Sequence, residues 1–304
     1  MLIRIQVKGK LYPNTYIKPL LAALTAALPS TPQHNIPQPQ LPPPRVPLDA
    51  AAEHITQSWL WPQFEKFLRP GDIVIGETGT AIFGLYDIKF PTNTRWHAQI
   101  YYGSIGFATA ATLGAEIARR ELEAKGVNAG GRTILVTGDG SMNLTIQEIG
   151  TMIKQGIKPV IFVLNNEGYT IERLIWGARQ RAYFHSCSSC ADADDEYLAY
   201  NDIVPADYSY LLPLFKHPSP TAAFHRAVMK KELEPIFQKK ELAQPESLQL
   251  VEVVMEKMDT SWRLGTQLAW RSEAHKKYLT DEGFVDTYGG WSLDGVSGGS
   301  VKWS

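Results

Sequence analysis

Apolar positions along the chain fall into two kinds of run, and their order predicts the architecture. Thr133-Ile134-Leu135-Val136-Thr137 and Val160-Ile161-Phe162-Val163-Leu164 are continuously apolar, as parallel strands are when both faces are covered. Between them Met142, Ile146, Ile149 and Ile153 recur at helical spacing as far as Gly156, which predicts one helix and a strand, helix, strand crossover. Upstream, a helix over 50–68 carries Trp59, Trp61, Phe64 and Phe67, and Asp72-Ile73-Val74-Ile75-Gly76 reads as a further strand. Gly103-Ser104-Ile105-Gly106 opens a helix rich in Ala and Gly, residues small enough to let it lie close to a sheet. A helical stretch over 222–238 and a strand over 248–254 follow. Strands and helices alternating at these lengths predict an α/β fold, a mostly parallel sheet flanked by helices, with ligands at the carboxyl ends of the strands.

The flanks differ in character. Residues 3–8 alternate like a half-buried strand and 17–28 have helical spacing, too little for a domain; residues 1–28 are expected to be the tail of one. The Pro-rich stretch 29–49 is expected to be an extended linker. The main α/β domain is assigned to 50–260, and 261–304 to a charged C-terminal helix with a flexible Gly/Ser-rich tail.

Composition narrows the choice of partners. With 304 residues, 44% hydrophobic and 20% charged, the chain can bury a substantial core. A net charge of -1 provides no global field toward nucleic acid or anionic lipid, so neither is expected as a partner. The longest apolar run, 19–28, falls short of the roughly 18 residues a membrane span needs, and it lies behind a polar segment, unlike a signal peptide. The only cysteines, Cys187 and Cys190, make no disulfide framework, so a cytoplasmic location is expected. Their Cys-x-x-Cys spacing, without a second pair, is weak evidence for zinc.

The chemistry concentrates between Gly138 and Glu172. Asp139 and Asn166 each lie just past a predicted buried strand, so a carboxylate and an amide oxygen meet at one edge of the sheet. These are ligands for a hard divalent cation such as Mg2+, which commonly shares its shell with phosphate oxygens and water; the carbonyl of Gly168 could join them. The amides of Gly140 and Ser141, at a predicted helix N-terminus, would face the phosphates. Taken singly, Gly-Asp-Gly is a tight turn and Asn-Asn a loop. Their position after adjacent strands, 24 residues apart, together with the hydroxyl-rich loop Glu77-Thr78-Gly79-Thr80, favours a metal-bridged diphosphate.

Gly138-Asp139-Gly140-Ser141, the spacing, and the closing VLNNEGYTIE resemble the thiamine diphosphate motif. ETGT and GSIGF are similar to the matching loops of the pyruvate decarboxylases, especially fungal ones; the resemblance is close over about 60–180 and weaker through AYNDIVP to the end. It implies the pyrophosphate-domain fold, thiamine diphosphate and Mg2+ as cofactors, and non-oxidative decarboxylation of a 2-oxo acid, with pyruvate giving acetaldehyde and CO2. Carried over by position, Asp139, Asn166 and the Gly168 carbonyl would bind Mg2+. Thr80, Gly140, Ser141 and the backbone of Asn166, Glu167, Gly168, Tyr169, Thr170 and Ile171 would hold the diphosphate. Gly103 and Ser104 would line the aminopyrimidine side. Ile105 would bend the cofactor so that its amino group approaches the reactive ring carbon, where proximity replaces a strong external base. Glu172 would face the substrate, where burial beside an anionic carboxylate raises a carboxyl pKa and lets it act as an acid.

Members of this type are nearly twice as long, so residues 1–28 would be the remnant of a middle domain. The resemblance places a ring-protonating glutamate and an adjacent pair of histidines in the part not represented here; among the seven histidines no two are adjacent. His97, taken as a loop residue, is nearest a motif. Full-length members are expected to be dimers or tetramers with the cofactor between subunits, so this chain alone is expected to be inactive. The alternative is a non-catalytic cofactor-binding fragment, or an assembly or regulatory partner of a full-length enzyme. Residues 181–198 are expected to be an insertion.

Overall fold

The computed structural model describes residues 5–12, 16–28, 51–127, 130–176, 201–269 and 272–281. The linker 29–49, the insertion 181–198 with both cysteines, and the tail beyond residue 281 lie outside the described residues. The chain divides into two compact units, Met1–Arg45 and Val46–Ser304. In the first, β1 (Ile5–Val7) pairs antiparallel with β2 (Lys10–Tyr12) across Lys8 and Gly9, both at positive φ as a two-residue hairpin requires, and α1 (Ile17–Ala27) follows.

The second unit begins at α2 (Gln57–Phe67), whose cap Thr56 accepts the Trp59 amide hydrogen. It continues through β3 (Ile73–Gly76), α3 (Thr80–Leu85), β4 (Arg95–Ala98), α4 (Phe107–Ala124), β5 (Thr133–Gly138), α5 (Asp139–Leu144), α6 (Gln147–Gln155), β6 (Val160–Asn165) and α7 (Thr170–Trp176). After the gap come α8 (Leu211–Leu214), α9 (Pro220–Ala223), β7 (Phe224–Ala227), α10 (Lys230–Phe237), α11 (Lys240–Ala243), β8 (Gln249–Val254), α12 (Trp262–Ala269) and α13 (Glu273–Asp281). The sheet has six strands in the order β4-β3-β5-β6-β8-β7, every pairing parallel.

The continuous apolar runs of β5 and β6 divide between the two faces with period two. Ile134, Val136, Val160, Phe162 and Leu164 join Trp59, Phe64 and Phe67 of α2 and Leu233 and Phe237 of α10. Leu135, Ile161 and Val163 join Ala108 of α4, Met142 of α5, and Ile149 and Met152 of α6. Phe64 meets Phe162 edge to face at 5.2 Å. A smaller cluster of Leu174, Leu264, Leu268 and Leu279 packs α7, α12 and α13 together.

Several local expectations are corrected. The single helix across Met142 to Ile153 is two helices: α5 ends at Leu144, and α6 starts after Ile146. Thr145 spends its hydroxyl on the Gly106 carbonyl at 3.0 Å, so the break ties α5 to the loop that precedes α4. The helix expected over 222–238 contains the edge strand β7, which pairs with β8. His97 lies on edge strand β4 opposite Ile75, with its side chain exposed, rather than in a loop.

Candidate functional site

The strand order reverses direction at β3: β4 lies on one side of it and β5 on the other. At such a switch point the loops at the carboxyl ends separate and leave a crevice. The register sets the depth of its walls. Gly138 pairs with Leu164, so Asp139 is level with Asn165, one residue short of Asn166.

The loops around this crevice are joined by specific bonds. After β3, the side chain of Glu77, 0% exposed, accepts the amide hydrogens of Thr78 at 2.9 Å, and of Gly106 and Ala108, each at 3.1 Å. Burial pushes its carboxyl up from the ordinary value while these three amides hold it down. The Gln99 side chain accepts from the amides of Tyr102 and Gly103, and the Thr78 hydroxyl donates to the Gln99 carbonyl. Gly103 and Gly106 bracket Ser104 and Ile105 at φ of 61° and 84°, and this turn leaves Ser104 exposed and Ile105 38% exposed. Thr80, the first residue of α3, is buried beside the same loop.

On the other wall, Asp139 opens α5 and is 2% exposed. Its Oδ1 accepts from Gly140 N at 2.8 Å and its Oδ2 from Gly168 N at 2.9 Å, so the loop after β6 is bonded directly to the residue after β5. Gly140 must be small: a Cβ there would meet the Tyr169 ring at 2.4 Å. Ser141 and Asn166 are buried, whereas Glu167 at φ 56° and Gly168 at φ 138° turn the backbone sharply at the rim. Thr170 opens α7 and donates its hydroxyl to the Lys257 carbonyl at 2.8 Å; Ile171 and the half-buried Glu172 follow in the first turn. The β3 loop is therefore bonded to the loop before α4, and the β5 loop to the β6 loop, all at the carboxyl ends of the parallel strands.

Burial pushes the Asp139 carboxyl up from 3.8 to about 6, against the two amides and the charge of Arg173. A folded-state value above the unfolded one means that protonation favours the metal-free fold. That contribution is complete below about pH 4 and is lost as pH rises through 6, a swing of about 3 kcal/mol. Between pH 4.5 and 7.5 denaturant melts of the metal-free chain are expected to lose about 2 kcal/mol that Asp139→Ala does not lose. Identical pH profiles for the two proteins would refute the assignment.

A divalent cation would relieve the same burial penalty. The donors available, one carboxylate, the Asn166 amide oxygen and the Gly168 carbonyl, are all oxygen and suit Mg2+. Among the described residues no group of three or more His, Cys, Asp or Glu comes together. The residues present fit a metal-bridged diphosphate.

Three residues were missed in sequence. Glu77 had a signal, an acid at the end of an apolar strand with no cation nearby in the chain, but it read as part of a phosphate loop. Tyr208, buried, donates to the Asp139 carbonyl at 3.2 Å and the Asn143 side chain at 3.4 Å. Arg173, also buried, binds the carbonyls of Asn166 and Glu167. Neither of the last two carried any signal, because their partners are distant in sequence or on the backbone.

Residues 75–206 match the family model described as thiamine pyrophosphate enzyme, C-terminal TPP binding domain. The pyruvate decarboxylase of Candida glabrata is 39% identical over 258 residues, 84% of this chain and 41% of that protein. A putative pyruvate decarboxylase of Schizosaccharomyces pombe is 34% identical over 276 residues, 90% of this chain and 44% of that protein. The chain thus spans about two fifths of the length of these relatives. A 4-hydroxybenzoylformate decarboxylase of Rhodococcus jostii RHA1 has the same fold, with a TM-score of 0.56 at 16% identity, covering 78% of this chain and 38% of that one. Among the described residues no helix is long and apolar enough to cross a membrane.

Proposed function

We propose that the chain, which matches the thiamine pyrophosphate enzymes through residues 75–206, serves the non-oxidative decarboxylation of a 2-oxo acid, pyruvate to acetaldehyde and CO2. The observation that carries the reading is the bond between Gly168 N and Asp139 Oδ2. It joins the two loops bearing the donors for a metal at the carboxyl edge of the sheet.

Asp139, Asn166 and the Gly168 carbonyl would hold Mg2+. Thr80, Gly140, Ser141 and the backbone from Asn166 to Ile171 would hold the diphosphate, and Gly103, Ser104 and Ile105 would line the side toward the organic rings. When bound, thiamine diphosphate supplies the nucleophilic carbon and the electron sink that let a 2-oxo acid release CO2. Ile105 is 38% exposed on the Gly103–Gly106 turn, and its apolar side chain would exclude water on the ring side. Glu172 would be the acid of this site: from the first turn of α7, directly after the β6 loop, it would donate a proton to the substrate side as the product forms.

Titration of thiamine diphosphate into the purified chain, with and without Mg2+, tests the reading. Saturable binding that requires Mg2+ is expected; binding indifferent to the metal, or none, would refute it. In a second reading the chain binds cofactor and turns over only with a further chain. Acetaldehyde release from pyruvate, measured for the chain alone and mixed with a full-length relative, separates the two.

A further inference from the structure

The metal loop is held from outside by a charged clamp to which no role has yet been given. Asn201 and Asp202 run antiparallel beside it: Gly168 bridges to Asp202, Tyr169 N donates to the Asn201 carbonyl at 2.8 Å, and Ile203 N to the Glu167 carbonyl at 3.4 Å. Arg173, 2% exposed, reaches through the loop from α7. Its guanidinium donates to the carbonyls of Glu167 at 2.8 Å, Asn166 at 3.2 Å and Asn201 at 3.4 Å, and pairs with Asp202 Oδ1. The other Asp202 oxygen accepts from Lys257 Nζ at 2.8 Å, and the same ammonium meets Glu167 Oε2 at 3.1 Å.

The loop needs such support. Glu167 at φ 56° is a non-glycine residue in the left-handed region, a conformation that costs about 1 kcal/mol and persists when its surroundings enforce it. A buried guanidinium is stabilising only while its counter-charge is in place. Asp202 supplies that charge and is joined to all three segments: the loop, the start of α7 and the stretch after β8.

We propose that Asp202 is a positioning residue for the metal loop, acting through Arg173 and Lys257 to hold the Asn166 amide and the Gly168 carbonyl in place before metal and diphosphate arrive. This rests on the function proposed above. It concerns order in the unliganded protein, so it can be tested apart from catalysis.

The test is amide hydrogen exchange on the full chain without cofactor, followed by Mg2+ titration at fixed thiamine diphosphate. Asp202→Ala is expected to speed exchange at Gly168 and Tyr169 by about tenfold or more while Val136 and Phe162 in the sheet stay unchanged. Its apparent Kd for Mg2+ is expected to rise by about tenfold, with Asp202→Glu recovering most of the loss. Should Asp202→Ala not fold, Lys257→Ala, at a half-exposed surface position, is expected to give about a threefold change in both readouts. Loop exchange within twofold of wild type in a folded variant overturns the proposal, as does faster exchange with unchanged metal affinity. Failure of the wild type to bind Mg2+ and thiamine diphosphate would count against the proposed function, while the exchange data would still decide the clamp.

Discussion

Replacing Gly168 with alanine is expected to lower Mg2+-dependent affinity for thiamine diphosphate by more than about 100-fold and to cost about 3 kcal/mol of stability. The residue sits at φ 138°, which L side chains rarely adopt. An added Cβ would lie 2.1 Å from the Asn201 carbonyl oxygen and 2.7 Å from Arg173 Nη2. Neither neighbour can yield cheaply: the carbonyl accepts the Tyr169 amide, and the guanidinium is bonded to the carbonyls of Asn166, Glu167, Asn201 and Lys257. The loop itself must therefore move, breaking the Gly168 N to Asp139 Oδ2 bond and displacing the carbonyl proposed as a metal ligand. Calorimetric titration of the cofactor together with thermal melts of the free protein would measure both effects. An alanine variant with wild-type affinity would show that this loop does not form the metal site.

Glu77→Ala is expected to destabilise the second unit by about 3–5 kcal/mol, since two buried amides and one partly buried one lose their acceptor at roughly 1–3 kcal/mol each. Those amides belong to two loops, so the loss is also expected to release the Gly103–Gly106 turn from the β3 loop and weaken cofactor binding about tenfold. Glu77→Gln keeps one acceptor oxygen but turns an amide group toward a donor, so an intermediate loss is expected. Urea melts of the three proteins give the order directly; a loss below about 1 kcal/mol for alanine would mean that Gly106 and Ala108 are held by other contacts.

The interior strands could be read from the chain because their physics is local and redundant. A strand buried on both faces reads as a nearly continuous apolar run, and β5 and β6 show this without reference to any partner. The edge strands could not. Arg95-Trp96-His97-Ala98 and Phe224-His225-Arg226-Ala227 have mixed polarity because an edge strand is partly solvated, and only pairing with Ile73–Gly76 and Gln249–Val254 makes them strands. The break at Thr145 was hidden for a similar reason. The apolar spacing continues through it, and the interruption comes from a hydroxyl bonded to a carbonyl 39 residues away.

Taken by itself, the sequence determined the parallel α/β core, the two loops that end β5 and β6, and the position of Asp139 and Asn166 at the sheet edge. These follow from patterns within a few residues and from the rule that ligands collect where parallel strands end. Only the tertiary structure decided that Asp139 is bonded to Gly168, that Glu77 ties two loops together, and that Arg173, Asp202 and Lys257 fasten the loop after β6 from behind. Their partners are backbone groups or residues at least 29 positions away, and a one-dimensional pattern carries no information about contacts that the fold itself creates.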